Sequence, residues 1–246
     1  MIRPAAIITG AAGGIGHALC TTFHAAGYYV VGTDRQSCKV PKGAFVRLDL
    51  DEYVCRQTIR AEAGKEFARA IGKRALACLV NNAALQVVRP IEQLTVDDWQ
   101  KTININVIAP FLLTQQLLER LAAAGGSVVN IASIHATLTK REFAAYATSK
   151  AALVGLTRSM AVELGSRVRV NAICPAAIGT DMLRAGFAGR EKELARLEAA
   201  HPVHRVGSPA EVAALAVMLA SPKFKFASGG IYNLDGAIGA RLHDPL

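Results

Sequence analysis

The sequence is short of aromatic residues, of acidic charge and of paired cysteines. Phe, Tyr and Trp make up 6% of its 246 residues. Surfaces that bind nucleic acid through base stacking interleave rings with Lys and Arg along one stripe, whereas here the 28 basic residues are spread along the chain. They outnumber 19 acidic ones, for a formal charge of +9. This excess is read as a basic solvated surface, and neither a nucleic-acid nor a membrane partner is expected. The five cysteines (Cys20, Cys38, Cys55, Cys78, Cys174) are odd in number and scattered, with no CxxC pair. That excludes a disulfide framework or zinc site. His201 and His204 lack further ligands, so no metal is expected. No apolar run reaches the roughly 18 residues of a membrane helix. Met1-Ile2-Arg3-Pro4 lacks the apolar stretch of a signal peptide, so a cytoplasmic protein is expected. Gly and Pro together fill 30 positions, too few for a collagen-like or low-complexity chain.

What the chain has in quantity is apolar residues, 52% of the total, enough for a sizeable core. They fall in short runs that alternate with helical patterns: Ala5–Thr9, Tyr28–Thr33, Ala44–Leu48, Leu76–Val80, Gly126–Ala132, Val168–Ile173 and Gly230–Leu234. Helices are expected over Gly14–Ala26, Glu52–Ile71, Val96–Leu121 with Thr95 as N-cap, Ala144–Leu164 and Ser208–Leu219. Short apolar runs joined by crossover helices predict a doubly wound α/β fold of Rossmann type. The expectation is one domain over 1–246, with seven mainly parallel strands and helices on both faces. The charged segment Ala176–Arg205 breaks the rhythm and is expected to form a substrate lid.

The first strand leads into Thr9-Gly10-Ala11-Ala12-Gly13-Gly14-Ile15-Gly16, which opens a helix. Glycines there let backbone N–H groups approach a pyrophosphate without Cβ obstruction. Asp34 ends the second strand, 24 residues past Gly10, near the separation at which a carboxylate accepts hydrogen bonds from an adenosine ribose. A 2′-phosphate there would meet a like charge, costing ~4 kcal/mol at about 4 Å and an effective dielectric of 20. NAD is thus favoured over NADP, with Arg35 as the residue that could soften the preference; an ordinary loop carboxylate is the bland alternative. Tyr146 and Lys150 lie four apart on one helix face, where an ammonium is expected to lower the phenol pKa and make it a usable acid or base. Ser133 ends the fifth strand, 13 residues before Tyr146.

Taken together, these motifs resemble the short-chain dehydrogenase/reductase family in its branch of about 250-residue chains, over essentially the whole sequence. Thr9–Gly16 matches the TGxxxGxG turn. Asp49-Leu50 matches an acidic/apolar pair lying against adenine, and Asn81-Asn82-Ala83-Ala84 is similar to NNAG. Asn106, Ser133, Tyr146 and Lys150 match the catalytic tetrad. Pro175-Ala-Ala-Ile178-Gly-Thr180 resembles the PGxxxT segment beside the nicotinamide. Ala84, Ala176 and Ala237 stand where the family usually has glycine, while Gly13 replaces a basic residue frequent in NADP-dependent relatives.

The resemblance implies an NAD(P)-dependent enzyme that interconverts an alcohol and a carbonyl by hydride transfer. Tyr146 would be its acid/base, Ser133 would hold the substrate oxygen, Lys150 the nicotinamide ribose, and Asn106 a water. Cofactor contacts are expected at Gly10, Gly14, Ile15, Gly16, Asp34, Asp49, Leu50, Asn82, Ala83, Tyr146, Lys150, Ile178 and Thr180. A homotetramer or homodimer is implied as well. A non-catalytic dinucleotide sensor or scaffold on the same fold is the alternative. Arg89, Lys140, Arg141 and Arg184 fall in segments resembling pocket-lining loops. They make a small hydroxy acid one candidate substrate, with a neutral polyol, sugar or cyclic secondary alcohol as the other.

Overall fold

Every one of the seven apolar runs becomes a strand of one sheet in the computed structural model, which describes residues 2–242. Residue 1 and residues 243–246 of the expected domain lie outside the described residues. The strands are β1 (Ala5–Thr9), β2 (Tyr29–Asp34), β3 (Ala44–Arg47), β4 (Leu76–Asn81), β5 (Ser127–Ile131), β6 (Arg169–Pro175) and β7 (Ile231–Leu234). Their order is β3-β2-β1-β4-β5-β6-β7, and every pairing is parallel. β1, β5 and β6 are buried at every residue, as continuous apolar runs covered on both faces should be.

Helices α1 (Gly14–Ala25) and α9 (Pro209–Ala220) cover one face, where Leu19, Phe23, Val212 and Leu219 pack on Ile8, Val30 and Val80. On the other face lie α2 (Leu50–Cys55), α3 (Gln57–Ile71), α5 (Ala109–Ala123) and α6 (Ala144–Leu164), with Phe67, Leu113, Leu121 and Met160 against Ile7 and Leu79. α4 (Val96–Ile103) precedes α5, and the segment between β6 and α9 carries α7 (Asp181–Gly186) and α8 (Glu191–Ala200). No helix among the described residues is long and apolar enough to cross a membrane.

Two expected helices are interrupted. The Glu52–Ile71 segment breaks at Arg56, whose backbone is extended. The Arg60 guanidinium takes the Tyr53 and Val54 carbonyls at 3.0 and 2.6 Å, so the break leaves fewer orphan acceptors. The Val96–Leu121 segment starts as expected, with Thr95 and Asp98 in a reciprocal capping box. It then widens into a π turn over Asn104–Ile108. Pro110 has no N–H to give the Asn106 carbonyl four residues earlier, which removes one regular helical bond at the widened turn.

The strand order reverses between β1 and β4. Chains of this topology open a crevice at the carboxyl ends of the strands flanking such a reversal. The Gly10 turn, Asn81–Ala84 and Ser133 all sit at those ends.

Candidate active site

The glycine turn is shaped by its neighbours as well as by its own residues. Gly10 has φ +68°, and a Cβ there would lie 2.8 Å from Ala83 Cα. At Gly16 a Cβ would strike the Gly10 carbonyl. Thr9 Oγ1 accepts from the N–H groups of Asn82 and Ala83 at 2.9 and 3.0 Å. The Asn82 amide donates to the Thr9 and Gly10 carbonyls at 2.9 and 3.2 Å. The two expected contact residues after β4 therefore brace the turn, and the Asn82 amide is already engaged.

Helix α1 begins at Gly14 with Ile15 and Gly16 following, and no acidic residue stands in its first turn. Its unpaired N–H groups and the positive end of its dipole face a cavity of ≈ 560 Å³ lined by Ala12, Gly13, Gly14, His17, Lys39 and Thr180. A Cβ on Gly14 would come within 3.0 Å of the Thr180 side chain. This glycine-rich set of N–H donors, with Lys39 on the same lining and Asp181 as its one carboxylate, fits a dinucleotide diphosphate.

Asp34 closes one end of the site. Its carboxylate accepts from Ala12 N at 3.1 Å and Gln36 N at 2.9 Å, so it is fixed against the glycine turn. Asp49 caps α2 through the N–H groups of Asp51 and Glu52, at 2.9 and 3.3 Å. The Leu50 side chain is buried in the core, so that pair can offer adenine a carboxylate and backbone but not the leucine side chain. Ile178 is buried and pairs with Gly207 in an isolated bridge. Thr180 caps α7 by accepting from Leu183 N at 3.2 Å.

Ser133 follows β5, and its Oγ accepts the His135 N–H at 3.2 Å. Tyr146 and Lys150 share a face of α6, with Lys150 Nζ 5.6 Å from the Tyr146 ring centroid. That ammonium donates to the Ile131 carbonyl at 2.8 Å. Burial pushes its pKa down to about 8, with the neighbouring Cys174 thiol acting weakly the other way. Burial also raises the Tyr146 phenol above its ordinary range, and the Ser133 hydroxyl beside it counters in part. The expected lowering of the phenol by Lys150 is thus corrected: β5 holds the ammonium, and desolvation dominates the tyrosine.

Asn106 lies inside the π turn and is 1% exposed. Its Oδ1 accepts from Leu85 N at 2.8 Å, while Nδ2 donates to Leu85 O and Ser149 Oγ at 2.9 and 2.8 Å. Ser149 in turn donates to the Tyr146 carbonyl at 2.7 Å. A continuous chain of hydrogen bonds therefore ties the loop after β4 to the tyrosine's helix. Two further residues border Tyr146 that the sequence reading did not single out: His135 and Phe143 set their rings against it. The one available signal for His135 was its place two residues past Ser133. Among the four basic residues expected at the pocket, Arg89 pairs with Asp98 at 2.9 Å, and Lys140 lies over the Phe143 ring.

Comparisons with known proteins bear on the family and the fold. Residues 10–238 match a family model described as enoyl-(acyl carrier protein) reductase. The chain is 37% identical to protein FixR of Bradyrhizobium diazoefficiens, over 94% of this chain and 84% of that protein. It is 32% identical to D-threitol dehydrogenase of Mycolicibacterium smegmatis, over 94% of this chain and 91% of that one. Among solved structures, ligand-free aldohexose dehydrogenase of Thermoplasma acidophilum superposes with a TM-score of 0.91 at 27% identity, covering 99% of this chain and 97% of its own. A putative NAD(P)-dependent gluconate 5-dehydrogenase from Beutenbergia cavernae, with bound NADP, gives 0.86 at 30% identity and 97% coverage of both chains. The chain belongs to the short-chain dehydrogenase/reductase family, NAD(P)-dependent oxidoreductases acting on CH–OH groups.

Proposed function

We propose that this chain is an NAD-preferring dehydrogenase of a small polyhydroxylated alcohol, with Tyr146 as acid/base. The observation that carries the reading is the grouping of Ser133, Tyr146 and Lys150 beyond β5, next to a glycine turn braced by β4. In the bound state the nicotinamide supplies or accepts the hydride. Gly10, Gly14, Ile15, Gly16 and Thr180 would hold the diphosphate side of the dinucleotide, and Asp49, Leu50, Asn82, Ala83 and Ile178 would border it.

The chain's own residues handle the proton. The Ser133 oxygen already accepts from His135 N–H, so its hydroxyl proton is available to the substrate oxygen. Tyr146 takes the proton of the substrate hydroxyl in oxidation and returns it in reduction. Lys150, its pKa pushed down to about 8 by burial, is suited to exchange a proton with the phenol side of the site and to hold a ribose hydroxyl. Since the Asn106 side-chain amide is taken by Leu85 and Ser149, a water at Asn106 would rest on its main-chain carbonyl.

The placement of the basic residues favours a neutral polyol over a hydroxy acid, because Arg89 and Lys140 already have protein partners. Similar proteins are named for polyhydroxylated substrates, the threitol and aldohexose dehydrogenases for neutral ones and the gluconate 5-dehydrogenase for an acid. Asp34 supports the cofactor preference, because two backbone N–H groups hold its carboxylate where a 2′-phosphate would need a cation. The test is kcat/KM with NAD and with NADP on a polyol panel. A preference for NAD that collapses in Asp34→Ala is the expected result; equal use of both by the wild type would contradict it.

A homo-oligomer belongs to the same proposal. Phe111 on α5 and Val162 on α6 are exposed, and Phe226 before β7 is fully so.

A further inference from the structure

Beside Ser133 and Tyr146 stands an imidazole that the proton-transfer scheme does not use. His135 stacks on Phe143 with ring centroids 4.6 Å apart and planes 7° from parallel. Both rings meet Tyr146 edge-on, His135 at 5.7 Å and Phe143 at 6.1 Å. Lys140 Nζ lies 4.6 Å from the Phe143 centroid and adds a cation–π contact to the stack. The main chain of His135 is tied as well, through its N–H to Ser133 Oγ. The ring is thus fixed at the edge of the reacting groups by contacts on both its backbone and its face.

Its hydrogen bonding defines what it can offer. Burial first, and then the Lys140 ammonium, hold its pKa below the ordinary histidine range, so the ring is neutral at neutral pH. Nδ1 lies 3.2 Å from Thr139 Oγ1, and the Thr139 hydroxyl donates to the Lys140 carbonyl at 3.5 Å. A hydroxyl has one proton to give, so both contacts hold together when Nδ1–H is the donor to Thr139. Nε2 is then a lone-pair acceptor, and it has no hydrogen-bond partner among the described residues.

We propose that His135 Nε2 accepts a hydrogen bond from a second substrate hydroxyl, on the carbon next to the one oxidised, and thereby selects vicinal diols. The proposal rests on the dehydrogenase reading above. A substrate oxygen held between Ser133 and Tyr146 would bring its neighbouring carbon within reach of the His135 ring, which lies 5.7 Å from the Tyr146 ring. A vicinal hydroxyl has the proton that Nε2 needs. A carboxylate at the same place would set lone pair against lone pair, and a plain alkyl group would leave the acceptor unpaired. His135 is therefore a specificity-determining residue, distinct from the proton-transferring tyrosine.

The experiment compares butane-2,3-diol, butan-2-ol and 2-hydroxybutanoate as substrates with NAD. Wild type, His135→Phe and His135→Gln are measured, kcat and KM separately. Phe keeps a ring on Phe143 without the nitrogen, and Gln restores an acceptor. The wild type is expected to favour the diol. His135→Phe should lower kcat/KM for the diol by about tenfold through KM, the scale of one neutral hydrogen bond. The fall for butan-2-ol should be clearly smaller than for the diol, and His135→Gln should recover part of the diol's loss. An equal fall for diol and monoalcohol, or no fall for either, would overturn the proposal.

A second readout is the nitrogen-15 spectrum of histidine-labelled wild type, with His135 assigned by its loss in His135→Phe. A proton on Nδ1 is expected at neutral pH, and a proton on Nε2 would overturn the proposal without any assay. Wild type that prefers monoalcohols or hydroxy acids would overturn the diol assignment and leave the dehydrogenase intact. No dinucleotide turnover with any alcohol or carbonyl would overturn both.

Discussion

Lys150 is an ammonium 2% exposed, held by one carbonyl and the face of a phenol, with no carboxylate partner in contact among the described residues. Burial lowers its pKa from 10.5 to about 8. Between those values the unfolded chain keeps a proton that the folded chain has shed, so this residue's contribution to stability rises with pH across that window. Below pH 8 the cost of the buried charge is fully present, about 3 kcal/mol by linkage. In the dinucleotide-free protein, Lys150→Met should therefore be more stable than wild type at pH 7, by about 2 kcal/mol after the lost hydrogen bond to Ile131 is subtracted. The difference should shrink as pH approaches 10. Urea unfolding at several pH values measures this, and a difference that stays constant with pH would show that Lys150 is not the titrating group. Ala237 illustrates a smaller local cost. It stands where the family usually has glycine and adopts φ 65°, a conformation that costs a residue with a Cβ about 1–2 kcal/mol.

Elements were legible where their signals are local. Thr95 with Asp98 three residues on, and Ser208 with Glu211, are capping boxes written in adjacent residues, and α6 runs over Ala144–Leu164 as its pattern indicates. The break at Arg56 was not legible, because it depends on Arg60 collecting carbonyls from the preceding turn. The π turn around Asn106 was hidden for a similar reason: its side chain is held by Leu85 and Ser149, far away in sequence. The same holds at the site. Residue identity and spacing pointed to Ser133, Tyr146 and Lys150, and the family resemblance pointed to Asn106. The place of His135 depends on Phe143 folding back over it, and the Lys150–Ile131 contact depends on packing α6 against β5. Element faces also carry the oligomer proposal. Val162 on α6 is 84% exposed and Phe111 on α5 is 41% exposed, and both would be covered if these helices meet a second copy of the chain. Val162→Glu should reduce the molar mass measured by light scattering toward that of one chain. A wild type that is already a single 26.0 kDa chain would contradict the proposal.

At the scale of the whole molecule, the parallel sheet is what brings these parts together. The reversal between β1 and β4 sets the glycine turn against Asn82, and β5, the next strand, delivers Ser133 beside α6 and its tyrosine. The chain carries a formal charge of +9, yet Arg89 and Lys140 in the crevice loops already have protein partners, which agrees with a neutral substrate. In the proposed reaction the phenol of Tyr146 moves the proton while the rest of the crevice holds the dinucleotide. Its most direct test measures kcat on the best alcohol and NADH affinity by fluorescence titration, in wild type and Tyr146→Phe. In Tyr146→Phe kcat should fall by about 10²–10⁴-fold, the usual worth of a positioned acid or base, while NADH affinity changes little. A Tyr146→Phe enzyme that keeps near wild-type kcat would contradict it.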